Sequence, residues 1–284
     1  MFDRLCDELI GAGLGVHAIE MIYKGKVVLH ECFDDDKPYP VYSAAKSVTS
    51  MAFSLCCDDG LLSPQTHLAD LIEDKYKDLF PTGFDKLSFQ RFLTMTAGNF
   101  PFRPQGEDWL RYIFSLDTDY TDTSFHYSNI PAYLVGVACE NAADMPLAQY
   151  LQKRVFDPLG IPEPVFSTCP KGHFYGATGM ETDVHSLALL GQLYLQNGEY
   201  GGKQLISKQA VGLAVSPHVF TGTDHYGFFF RIGDDCFSMV GKWGQRCMVY
   251  PEKELVVSYL SHCPDNSQKL YELVQSCIRQ ENTL

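Results

Sequence analysis

The sequence predicts a mixed α/β protein of the α+β type: an antiparallel β-sheet flanked by N- and C-terminal helices, with a mostly helical segment inserted between. Three observations carry this. Residues 2–11 place apolar side chains at Phe2, Leu5, Cys6, Leu9 and Ile10, the spacing of one helix face. Two β-rich runs, Val16 to Tyr23 and Lys26 to Cys32, surround Lys24-Gly25 and read as a hairpin. Four further β-rich runs follow one another late in the chain, and a helical pattern from Ser267 to Arg279 closes it. Strands at both ends of the chain must pair with each other to bury their faces.

The elements between follow in order. Pro38 and Pro40 mark a loop after the hairpin. From Ser43 the pattern is helical to about Cys57, where Asp58-Asp59-Gly60 stops it. Helices are expected from Ile130 to Ala142, from Leu147 to Val155 before the stop Asp157-Pro158-Leu159-Gly160, and from Thr182 to Gln196 before Asn197-Gly198. The four late strands are Tyr226 to Ile232, Cys236 to Gly241, Gln245 to Tyr250 and Leu255 to Leu260. With 284 residues, the chain is long enough for one large domain or two interleaved ones. The expected division is a sheet domain of residues 1–60 plus 169–284 and an inserted helical subdomain of residues 61–168.

Composition removes several function classes. A net charge of −13 without any Lys/Arg-rich run argues against nucleic acid and against an anionic membrane surface as partners. The N-terminus carries Asp3, Asp7 and Glu8 where a secretory signal needs a positive start and an apolar stretch. No run approaches the ~18 apolar residues that cross a bilayer, so the expectation is a soluble, cytoplasmic chain. Ten cysteines show no C-x-x-C spacing and mostly sit in apolar runs, as reduced thiols packed like small hydrophobes would. Gly11-Ala12-Gly13-Leu14-Gly15 follows a helix and precedes a strand, the reverse of the dinucleotide-binding order. Asp34-Asp35-Asp36 reads as a solvated turn rather than a metal site.

One segment carries chemistry. Val41-Tyr42-Ser43-Ala44-Ala45-Lys46-Ser47 places S-x-x-K at the start of a helix, where residues three apart share a face. A serine hydroxyl is a weak nucleophile until a base takes its proton. A lysine whose pKa is lowered by burial can be that base. The helix N-terminus adds N–H groups and partial positive charge for a developing oxyanion. Alone, the pattern fits equally an N-cap serine and a solvated lysine. A second segment, Phe125-His126-Tyr127-Ser128-Asn129, holds Y-x-N just before the Ile130 helix. Tyr127 there can shuttle a proton and Asn129 can orient a substrate; His126 reads as a packed loop histidine.

S-x-x-K followed some 80 residues later by Y-x-N resembles the serine β-lactamase and penicillin-binding-protein superfamily. The surroundings are similar to its class C and carboxylesterase branch: Phe92 to Gly98, Val155 to Gly160, and Gly176 to Met180 continuing to Gly191-Gln192-Leu193-Tyr194-Leu195 match that branch's segments in order. The resemblance covers nearly the whole chain. It implies the β-lactamase/transpeptidase fold, with Ser43 as nucleophile and Lys46 and Tyr127 handling protons. It also implies acyl transfer to water from a small ester, amide or peptide, with no metal or organic cofactor.

The branch's third motif, K-T-G or H-x-G on an inner strand, is where the sequence departs. Phe237 to Gln245 looks like the variant that puts Met239-Val240-Gly241 on those positions, so the usual cation is absent. A second register reads Lys242-Trp243-Gly244, with a short spacing to Pro251; His225-Tyr226-Gly227 lies too early. The favoured register makes Gly241, Lys242 and Trp243 substrate-binding candidates beside Asn129, gives the Lys242 N–H a share of the oxyanion hole with Ser43, and lets the Lys242 side chain replace part of the charge by turning inward. A missing cation argues against efficient penicillin turnover and towards an esterase or amidase. The rival reading is a catalytically inactive member that keeps the fold to bind a ligand or protein.

Overall fold

The computed structural model describes residues 2–35 and 37–280, the side chains of 2–4 and 280 excepted; Phe2's side chain and Asp36 of the expected acidic turn lie outside the described residues. Helix α1 (Phe2–Ala12) leads into strands β1 (Val16–Tyr23) and β2 (Lys26–Cys32), the hairpin the sequence predicts. Helix α2 (Ala45–Asp58) follows the loop. The middle of the chain is helices and turns and includes α3 (Ile130–Ala143). Helix α4 (Val184–Leu195) returns the chain to the sheet, its first turn capped by the Asp183 carboxylate accepting from Ser186 N at 2.7 Å.

The late strands are β3 (Val219–Phe220), β4 (His225–Tyr226), β5 (Arg231–Ile232), β6 (Phe237–Val240), β7 (Arg246–Tyr250) and β8 (Leu255–Ser261), and α5 (Ser267–Gln280) closes the chain. Among the described residues these form one eight-stranded antiparallel sheet in the order β2-β1-β8-β7-β6-β5-β4-β3. The pairing of β1 with β8 joins the two ends of the chain.

Both faces of the sheet are covered, and β8 shows why its residues are all buried. Leu255, Val257 and Tyr259 pack with Leu5 and Leu9 of α1 and Leu270, Val274 and Ile278 of α5. Val256 and Leu260 point the other way, into the core shared with α2, α3 and α4. Alternation of side chains across the strand produces both contacts from one segment. Among the described residues no disulfide forms, and Cys56, Cys139, Cys169, Cys236, Cys247 and Cys263 are buried, as expected of small core hydrophobes.

Two expected elements differ. Tyr226 to Ile232 is two short strands, not one. Phe229 between them has φ 61° and donates its N–H to Leu93 O at 3.1 Å, which turns the chain out of the ladder and onto the helical region. The expected Leu147–Val155 helix is regular only to Leu151, widens to a π-turn over Gln152–Phe156, and ends at Gly160 with φ 71°. Among the described residues no helix is long and apolar enough to cross a membrane.

Candidate active site

Two helix starts and one strand end meet at a single cavity. Ser43 lies in a turn of 3-10 helix, Tyr42–Ala44, immediately before α2. The turn is anchored from behind. Tyr39–Pro40 pairs with Met180–Thr182, and Val41 N donates to Met180 O at 2.9 Å. Tyr42 enters the turn with φ 48°, a left-handed conformation that costs on the order of 1–3 kcal/mol in a bulky residue. Surrounding structure must hold it there, and such strain gathers where a side chain has to be presented.

One turn further on, Lys46 is buried, only 1% exposed. Its Nζ lies 3.0 Å from Ser43 Oγ, and it donates to Asn129 Oδ1 at 2.7 Å and to Ala177 O at 2.9 Å. No carboxylate is among these partners. Burial therefore acts unopposed on the ammonium and pulls its pKa from the usual lysine range down to about 7. An amine that is neutral near pH 7 can use two N–H bonds for Asn129 and Ala177 and keep a lone pair for the Ser43 proton.

Asn129 is the residue that precedes α3, and its Nδ2 donates to Tyr175 OH at 3.1 Å. Packing of α2 against α3 brings Ser43 and Lys46 beside Tyr127 and Asn129 from 83 residues away. The Tyr127 ring centroid is 4.9 Å from Lys46 Nζ. Burial pushes the Tyr127 phenol above its ordinary value, against the pull of its hydrogen bond with Ser43 and of the Arg231 charge, so the hydroxyl stays protonated at neutral pH.

Strand β6 forms the third wall. Ser238, Val240, Gly241 and Lys242 line the cavity with Ser43, Tyr127 and Asn129, and its volume is about 470 Å³. A methyl group on Gly241 would sit 2.1 Å from Val41 O, so glycine lets the end of β6 press against the nucleophile turn. Met239, on the position of the usual cation, is wholly buried in the core. Lys242 does not turn inward: it is exposed, and its Nζ lies 4.3 Å from the centroid of the Trp243 ring. Trp243 packs edge-on to Tyr42 and against His262, outside the cavity lining. His126 pairs with Asp122 at 2.6 Å with its side chain partly exposed, and His225 pairs in β4 with β3 and β5.

Among the lining residues that sequence reasoning missed are Arg103, Tyr175, Phe229 and Arg231. One signal was available for Arg231, the only charge in the apolar run Tyr226 to Ile232. Phe229 is tied to α2 directly, since Ser47 Oγ donates to Phe229 O at 2.7 Å.

Solved structures are similar to this chain over nearly its whole length. A solved structure described as a "putative beta-lactamase" from Bacteroides dorei DSM 17855 superposes with a TM-score of 0.82 at 17% identity, covering 98% of both chains. A beta-lactamase from Mycobacterium bovis gives 0.74 at 18% identity over 99% of this chain and 100% of its own. A penicillin-binding protein homolog from Caulobacter crescentus gives 0.75 at 15% identity over 92% and 90%. At these identities the likeness establishes the fold. A search of curated sequences returns no match. The family described as beta-lactamase matches residues 3–273, nearly the full length, and the chain belongs to that family.

Proposed function

We propose that the protein is a serine hydrolase that cleaves a small ester or amide through an acyl-enzyme on Ser43. The observation that carries this reading is Lys46, a buried amine 3.0 Å from a serine hydroxyl with its pKa drawn down to about 7. A binding module gains nothing from burying an amine in that state. A general base needs it.

Neutral Lys46 takes the Ser43 proton as Oγ attacks the substrate carbonyl. The N–H groups of Ser43 and Lys242 receive the oxyanion, since both residues border the same cavity. Protonated Tyr127 gives its proton to the departing alkoxide or amine and regains one from the Lys46 ammonium. Water then attacks the ester on Ser43, its proton passing back along the same groups, and a carboxylic acid leaves. The membership of the beta-lactamase family supports this two-step chemistry.

Mass measurement of the intact protein during turnover of an activated ester tests the reading. An acyl-sized increment localised to Ser43 is expected, and hydrolysis that shows no increment and persists in Ser43→Ala would point to direct attack by water instead.

A further inference from the structure

Strand β2 carries a second nucleophile, base and carboxylate, on residues that the hydrolase reading does not use. It lies at one end of the sheet, paired to β1. In that pairing His30 stands opposite Glu20 and Cys32 opposite Ala18. Directly opposed residues share a face of the sheet, and so do residues two apart on a strand. Glu20, His30 and Cys32 therefore project together, on the side where α4 packs against β1 and brings His185.

Hydrogen bonds set the order of the groups. Glu20 is wholly buried, and a buried carboxylate needs partners. His30 Nδ1 donates to its Oε2 at 2.6 Å, and His185 Nδ1 donates to its Oε1 at 2.8 Å. A carboxylate oxygen only accepts, so Nδ1 of His30 carries a proton and Nε2 of the neutral ring carries a lone pair. That lone pair faces Cys32, with Nε2 3.6 Å from Sγ. A thiol whose proton has a base waiting for it, and a base oriented by a third group, is the arrangement of an activated nucleophile. Other cysteines are placed differently. Burial pushes the thiols of Cys57, Cys139, Cys236 and Cys247 up and keeps them protonated. Cys277 donates to Glu8 Oε2 at 3.3 Å, which also holds the proton on sulfur.

We propose that Cys32 is a redox-active thiol that a hydroperoxide oxidises to the sulfenic acid, with His30 as its base and Glu20 and His185 positioning that base. The thiolate is the nucleophile, so His30 Nε2 first takes the thiol proton. Sulfur then attacks one peroxide oxygen and the O–O bond breaks. The departing oxyanion takes the proton from His30 and leaves as an alcohol, or as water from hydrogen peroxide. Sulfur loses two electrons, the peroxide gains them, and Cys–SH plus ROOH becomes Cys–SOH plus ROH. Exposed Glu31, Asp34 and Asp35 flank the thiol along the chain and disfavour an anionic disulfide as oxidant. A neutral peroxide is small enough to reach a half-buried sulfur.

The test compares thiols within one protein. The full chain is exposed to hydrogen peroxide with dimedone, which caps sulfenic acids, and labelled peptides are quantified over time by mass spectrometry. Cys57 and Cys277 are half-buried as Cys32 is, so they report exposure without activation. Label at Cys32 is expected to accumulate faster than at either by about tenfold or more. His30→Gln and Glu20→Gln are each expected to bring Cys32 down to the rate of those two while leaving theirs unchanged, a pattern that a loosened fold would not give. Circular dichroism and melting establish folding of each variant, and the wild-type comparison decides the matter where neither variant folds. Equal rates at the three thiols in wild type, or an unchanged Cys32 rate in folded His30→Gln, overturns the proposal.

Discussion

Lys46 Nζ stands 3.0 Å from Ser43 Oγ while Asn129 Oδ1, at 2.7 Å, and Ala177 O, at 2.9 Å, hold it in place. The base is therefore positioned by groups from two distant parts of the chain. Lys46→Met keeps the length of the side chain and removes the amine. It is expected to lower kcat/KM by about 10²–10⁴, the usual yield of a positioned general base. Steady-state kinetics on a p-nitrophenyl ester check this, and wild-type rates in the variant would remove Lys46 from the mechanism.

The lowered Lys46 pKa sets the sign of two pH effects. As a base it works only when neutral, so kcat/KM should rise with pH on an acid limb centred near 7. For stability, the folded pKa of about 7 lies below the ordinary value of 10.5, so the unfolded chain binds more protons between those limits. Stability attributable to this group is fully present above pH 10.5 and is lost as pH falls to about 7. Urea titrations of wild type and Lys46→Met across pH 7 to 10 should show wild type gaining on the variant as pH rises.

Tyr127→Phe removes a hydroxyl and keeps the ring that packs against Phe125 and Tyr226. Turnover is expected to fall by about 10²–10⁴, with the melting temperature within a few degrees of wild type. Paired kinetic and melting measurements check it; a large loss of stability would instead make Tyr127 a packing residue.

Ser43 and Lys46 were legible because their chemistry is local: two residues three apart on one helical turn meet whatever the rest of the fold does. The hairpin, the terminal helices and most of the sheet were legible for a similar reason, since each is written in the periodicity of its own segment. Tyr127 and Asn129 needed the family resemblance, because only the packing of α2 on α3 brings them to Lys46. Arg231 escaped because its place depends on the register of β5 against β6, and because Tyr226 to Ile232 looked like one strand. The break at Phe229 comes from a hydrogen bond to Leu93, a residue on no neighbouring segment. Lys242 reads as an inward cation in sequence but has an aromatic partner beside it in Trp243.

Gly241→Ala tests the close approach of β6 to the nucleophile turn. The added methyl meets the backbone oxygen of Val41 at 2.1 Å and the Gln245 side chain at 2.9 Å, which leaves little room to yield. Overpacking of this kind costs about 1–3 kcal/mol. A lower melting temperature is expected together with a fall in kcat, because Ser43 and the end of β6 are pushed apart. Unchanged kinetics would show that the two can separate without consequence.

The central claim is that Ser43 is an activated nucleophile. The most direct measurement is labelling with a fluorophosphonate probe, with the modified peptide located by mass spectrometry in wild type and Ser43→Ala. Covalent label on Ser43 in wild type and its loss in the folded variant is the expected result. No label on folded wild-type protein, or label on another residue, would contradict it and make the ligand-binding reading the better account of the fold.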